Sequence, residues 1–235
     1  MAVSLADGRA LVSAANALGA VFKDVGELEA AGVVYRRALA VAEGMTVPDP
    51  LTEAGLLRNL GGLAFSIGDA AGGIPLAERG LALRVSALGD AHPDVARDLD
   101  ALSALYHQAG RYREADEACH HALQVLERCY GPDHFDVAMI CSRLAAMRAD
   151  QGDFSSAEAL GRRSLRIVQI VLGPEDVEAG LAMLNLAAAI AGQGRSGEAA
   201  AFADCASAIL SDRLPAGHPH VLVARDVMNQ FQEIA

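Results

Sequence analysis

Cys129, His134 and Cys141 lie close together in the chain. Two thiols and an imidazole are zinc-type ligands, so this stretch is the first place to look for a metal centre. Its spacing matches no zinc pattern, and none of the four cysteines forms a Cys-x-x-Cys pair. The thiols are therefore expected to be free and buried, with Cys119 filling a core position as a small hydrophobe. No metal or cofactor is expected. The sequence has no Gly-x-Gly-x-x-Gly, phosphate loop, His-Glu-x-x-His or nucleophile elbow. Its 23 glycines mark turns rather than a phosphate cradle.

His92, His134 and His218 share one phrase. Leu88-Gly89-Asp90-Ala91-His92-Pro93-Asp94-Val95-Ala96 recurs as Tyr130-Gly131-Pro132-Asp133-His134-Phe135-Asp136-Val137-Ala138. It persists in Leu172-Gly173-Pro174-Glu175-Asp176 and Leu214-Pro215-Ala216-Gly217-His218-Pro219, in steps of 42. A histidine that recurs at one loop position has a structural role, such as capping a helix. Gly26, Gly68, Gly110, Gly152 and Gly194 keep the same step. Apolar residues three and four apart flank each of these glycines, as in Leu99, Leu102, Leu105 and Tyr106 before Gly110 and Tyr112, Ala115, Cys119, Ala122 and Leu126 after it. Such spacing marks a helix with one buried stripe. Each unit is therefore a helix, a tight turn at glycine and a second helix, and a period of this size means a stack of similar units.

The pattern resembles the tetratricopeptide repeat in its longer, kinesin light chain-like form. The third unit carries it most fully, in Ala96, Leu99, Leu102, Tyr106, Gly110, Tyr112, Ala115, Ala122 and Leu123. The resemblance implies an all-α, right-handed superhelical solenoid of five helix pairs plus a C-terminal capping helix. One domain spans 1–235, with repeats at about 4–45, 50–87, 92–129, 134–171 and 176–213 and the cap at 218–233. Polar Arg225, Asp226, Asn229, Gln230 and Glu233 suit that cap. Unit two departs from the pattern at Asp69-Ala70-Ala71-Gly72-Gly73-Ile74-Pro75. Glycine and proline damage a helix interior, so its second helix is expected to start late, near Ile74, after a hinge or local opening.

In this family the first helix of each pair lines the inner side. Carried over, that implies a partner-binding groove of Asn16, Arg58, Asn59, Phe65, Arg97, Asp100, His107, Gln108, Ser142, Arg143, Asp150 and Asn185. A row of small residues, Ala20, Gly62, Ala104, Ala146 and Ala188, leaves room for a ligand backbone. Asn59, Arg143 and Asn185 share one position and are able to hydrogen-bond an extended main chain. The alternative is a charge ladder in which Arg58, Asp100 and Arg143 pair with one another. The implied function is a non-enzymatic scaffold that receives a peptide segment or short helix of a partner protein. A second reading is an enzyme or small-molecule binder of a specialised biosynthetic pathway, with a pocket around His107, Asp100, Arg143 and Asp150. An Asp–His pair orients an imidazole for proton transfer, but the repeat places no nucleophile beside His107.

A net charge of −11 disfavours nucleic acid and anionic membranes as partners. No apolar run reaches membrane-span length. Asp7 and Arg9 in the first turns predict no signal peptide, and hence a cytoplasmic location. Lys23 is the sole lysine, a bias expected of a GC-rich genome. An open solenoid end at 2–12 is a further candidate, for homodimer formation.

Overall fold

The computed structural model describes residues 5–232. These form eleven helices: α1 Leu5–Asp24, α2 Leu28–Glu43, α3 Pro50–Ser66, α4 Ala70–Leu88, α5 Pro93–Gln108, α6 Tyr112–Tyr130, α7 Phe135–Asp150, α8 Phe154–Val171, α9 Val177–Gly192, α10 Ser196–Arg213 and α11 Pro219–Gln232. They divide into two compact units, one running through Val125 and the other starting at Leu126. Glu233 of the expected cap and residues 2–4 of the expected dimer segment lie outside the described residues.

Two recurring devices start and stop the helices. Gly26, Gly68, Gly110, Gly152 and Gly194 have φ between 75° and 84° and reverse the chain between the helices of each pair, a conformation glycine takes without steric cost. Ring or carboxylate side chains then cap the next helix. His92 Nδ1 accepts from Asp94 N at 3.1 Å, His134 Nδ1 from Asp136 N at 3.1 Å and His218 Nδ1 from His220 N at 3.2 Å. In the fifth repeat Asp176 Oδ1 does the same for Glu178 N at 2.9 Å. The recurring histidine is thus an N-cap, satisfying an amide that the helix leaves unbonded. Asp49, Asp69 and Asp153 cap α3, α4 and α8.

Helix α4 corrects the sequence expectation. It begins at Ala70, not near Ile74, and Pro75 lies inside it. The Asp69 carboxylate holds the first turn through Gly72 N at 3.0 Å. The two glycines fit close neighbours rather than open a hinge. A Cβ on Gly73 would stand 2.8 Å from both the Ala64 Cβ and the Leu105 Cδ2, and one on Gly72 would strike the capping Asp69. Close packing thus offsets the poor helix propensity of this stretch.

Alanine-rich columns fill the core between helices. In the first unit Val12, Tyr35, Leu56, Leu57, Leu60 and Leu63 form one buried cluster; Ile74, Ala77, Leu102 and Leu105 form another. Gly19 makes room for the Tyr35 ring, whose Cε1 lies 2.5 Å from where a glycine-19 Cβ would be.

Candidate functional site

In the first unit the face built by the first helices of each pair, α1, α3 and α5, gathers most of the expected groove residues. Asn59 Nδ2 donates to Asn16 Oδ1 at 2.7 Å, joining α3 to α1. One turn further along α3, the Lys23 ammonium stands over Gly62, 3.4 Å from where a Cβ would lie. At the helix end Gln108 Nε2 donates to the Phe65 carbonyl at 3.2 Å, while the Phe65 ring is exposed. Arg97 pairs along its own helix with Asp94 at 2.8 Å. His107 is half-buried, its ring 5.3 Å from that of Tyr112.

Above the Asn16–Asn59 rung, α1 and α3 part to form a cleft of about 380 Å³. Val12, Leu51 and Met45 supply apolar wall, and Arg9, Ser13, Asn16 and Thr52 supply polar groups. Gly55 lines it too, and a Cβ there would meet nothing within 4 Å. At the same position the later repeats carry Arg97, Met139 and Leu181. The cleft is open where the three later repeats place a large side chain.

Arg58 has a role the sequence reading did not assign. Its Nη1 lies 3.6 Å from Asp98 Oδ1, while Arg84 Nε donates to Asp98 Oδ2 at 2.5 Å. Arg84 and Asp98 are 6% and 3% exposed, a buried ion pair between α4 and α5. Asp98 Oδ1 accepts no hydrogen bond. Burial pushes the Asp98 carboxyl above the usual carboxylate range, against the pull of the Arg84 hydrogen bond and the two guanidinium charges. Arg58 is therefore the outer member of a triad rather than a free groove side chain. The signal was present in the repeat columns. Arg84 aligns with Ala42, Leu126, Val168 and Leu210, and Asp98 with Leu56, Ile140 and Ala182. All of those are apolar and buried.

In the second unit the equivalent rung recurs: Asn185 Nδ2 donates to Ser142 Oγ at 3.0 Å. Arg143 is half-buried and Asp150 exposed at the end of α7; Met139, Ala146 and Ala188 are exposed on the same helices. Asp100, half-buried on α5, belongs to the first unit with His107, whereas Arg143 and Asp150 belong to the second.

The second unit's strongest polar cluster lies away from those helices' shared face. Glu158 on α8 accepts from Gln193 at 2.8 Å and Arg195 at 2.6 Å and pairs with Arg162 at 2.7 Å. Arg162 and Arg195 also both reach Glu198. These donors, Gln193 first, hold the Glu158 carboxyl down to about 2.

Cys119 and Cys141 are buried, and Cys119 Sγ donates to Ser103 Oγ at 3.1 Å. Cys129 and Cys205 are exposed, which corrects the expectation of buried thiols. Among the described residues no group of three His, Cys, Asp or Glu gathers as a metal-ligand set. None of the described helices is long and apolar enough to cross a membrane.

The tetratricopeptide repeat model matches residues 52–118, 102–169 and 136–212, more than half of the chain. The chain belongs to the tetratricopeptide-repeat family. No curated protein matches it. Solved structures of the same fold include BtubC (BKLC) from P. vanneervenii, 21% identical with a TM-score of 0.72 over 88% of this chain and 90% of that one. A P. anserina kinesin light chain-type protein of nearly identical TPR-like repeats is 18% identical, with a TM-score of 0.70 over 86% and 95%. A Rap protein complexed with competence and sporulation factor is 14% identical, with a TM-score of 0.73 over 94% of this chain and 65% of that one. At these identities the likeness establishes the fold: an all-α, kinesin light chain-like helical-repeat solenoid, an architecture suited to protein-interaction scaffolds.

Proposed function

We propose that this tetratricopeptide-repeat chain is a non-enzymatic scaffold that holds an extended segment of a partner protein against its first helices. The observation that carries the reading is the cleft at Gly55. There the α1–α3 seam is open, part apolar and part polar, as a preformed pocket for a partner side chain is. The neighbouring Asn16–Asn59 rung offers amide groups to a main chain. A wall already ordered by core packing loses little entropy on binding. Within this reading Arg58 is held in place by Asp98, and Phe65 and Gln108 add contact area.

The test uses a peptide selected from a random library against the whole chain, titrated by calorimetry against the wild type and Gly55→Leu. Leucine copies Leu181 of the fifth repeat, its Cβ meets nothing within 4 Å, and it has the better helix propensity, so the variant is expected to fold. The reading expects affinity to fall at least about tenfold, roughly the 1.4 kcal/mol that one lost pocket contact represents. Unchanged affinity for every selected peptide would refute it.

A further inference from the structure

Helices α5, α7 and α9 start alike. The capping side chain accepts from the amide two residues on, and that residue is acidic: Asp94, Asp136 or Glu178. Helix α11 keeps the bond and changes the residue. His218 Nδ1 accepts from His220 N at 3.2 Å, and no acidic side chain lies in the first turn. A carboxylate suits the positive end of a helix, whereas an imidazole that gains a proton there is opposed by it. The helix is also thinly anchored. Val221 and Ala224 are its fully buried side chains among the described residues, with Val227 and Met228 half-buried, whereas α9 buries nine residues. A helix held by so few contacts opens locally at low cost.

The capping bond depends on the charge state of one atom. Nδ1 accepts only while it carries no proton, and imidazole is the side chain whose charge changes between about pH 5 and 8. On α5 a protonated His92 has a replacement partner, because Asp94 Oδ2 stands 3.7 Å from the same Nδ1. On α11 the neighbour is a second imidazole, with ring centroids 5.0 Å apart, so two cations would face each other at a positive helix end. The elements packed against α11 are α10 and α9. Their charges near its start are Asp212 and Arg213 at the end of α10, and Glu175, Asp176 and Glu178 at the start of α9. Arg213 is paired with Glu175 at 3.2 Å and with Asp212 at 3.4 Å, and Asp176 is bonded to the Glu178 amide at 2.9 Å. Among the described residues no carboxylate stands within ion-pair distance of His218 or His220. On α11 itself the first charges, Arg225 and Asp226, lie more than a turn beyond His220.

We infer that α11 is a pH-sensitive closure of the second unit: protonation of His218 and His220 releases its first turns from α9 and α10 and bares the apolar face beneath Val221 and Ala224. The other first helices of the second unit resist the same change. Helix α9 is capped by a carboxylate, and α7 carries Asp136 where α11 carries His220. The opening is therefore confined to α11.

Hydrogen exchange of the whole chain, followed by mass spectrometry at about pH 7.5 and about pH 5.5 and corrected for intrinsic rates, spans the imidazole range and tests the inference. Protection of the α11 amides is expected to fall at least about tenfold at the lower pH, the combined size of a lost cap and two charges at a helix start. Protection in α9, whose cap is a carboxylate, is expected to change by less than about twofold. His218→Asp with His220→Glu copies Asp176 and Glu178 of the preceding repeat and abolishes the α11 loss. Protection of α11 that is equal at the two pH values or absent at both, an equal loss in α9, or a loss that persists in the double variant would each overturn the inference.

Discussion

The two units solve one packing problem with opposite placements of charge. The first buries Arg84 and Asp98 between α4 and α5, at columns where every other repeat is apolar. The second fills those columns with Leu126, Ile140, Val168, Ala182 and Leu210. It keeps its densest ion pairs on the outer helices around Glu158, where Arg162 and Arg195 remain largely exposed. A buried pair is weak evidence for stability, since desolvation costs about as much as the attraction returns. The repeat architecture did not need the Arg84–Asp98 pair to fold, because the second unit does without it. What the pair adds is a fixed anchor for Arg58 on the first-helix face.

Breaking the buried pair gives the largest expected effect. Arg84→Leu alone strands the Asp98 carboxylate and should cost about 3–5 kcal/mol in a denaturant melt. Arg84→Leu with Asp98→Ile rebuilds the Leu126 and Ile140 columns. That double variant should recover wild-type stability or exceed it by about 1–4 kcal/mol. A double variant as unstable as the single one would mean that the pair is required for packing.

Pro75 is the next irregularity confined to the first unit. It lies inside α4 and has no amide to donate to the Ala71 carbonyl. Pro75→Ala should raise stability by up to about 3 kcal/mol in the same melt. No gain would mean that the proline serves the fold at that point.

The histidine caps are common to both units and give the baseline. His92→Ala and His134→Ala should each cost about 1 kcal/mol. His134→Asp, copying Asp176, should be nearly neutral. Unequal alanine costs in the two units would show that the repeats do not share this device.

The smallest effect concerns acid. Glu158 titrates at about 2 in the fold against an ordinary 4.5. Its folded-state pKa is depressed, so its contribution is full above pH 4.5 and is lost as pH falls through about 2. Glu158→Gln should flatten that acid limb in melts between pH 5 and 2, a window roughly spanning the two values. Asp98 works in the opposite sense. Burial raises its pKa, so its contribution declines as pH climbs out of the carboxylate range.

Turns and caps were legible because each is fixed by a few adjacent residues: Gly110 by its positive φ, and His92 by its bond to an amide two residues on. The start of α4 was not. Propensity argues against Gly72 and Gly73, and only the approach of Ala64 and Leu105 shows why they are there. The Asn row was legible as a column in steps of 42. Its hydrogen bonds run at 43, from Asn59 to Asn16 and from Asn185 to Ser142, because a bond joins neighbouring helices rather than equivalent positions. Arg84 and Asp98 stand out only when set beside their apolar repeat equivalents.

The most direct measurement is a crystal structure of the chain with a library-selected peptide bound. The account predicts a peptide side chain seated between Val12, Leu51 and Gly55, with the peptide main chain beside Asn16 and Asn59. A peptide bound only to the outer helices, around Glu158, would contradict it.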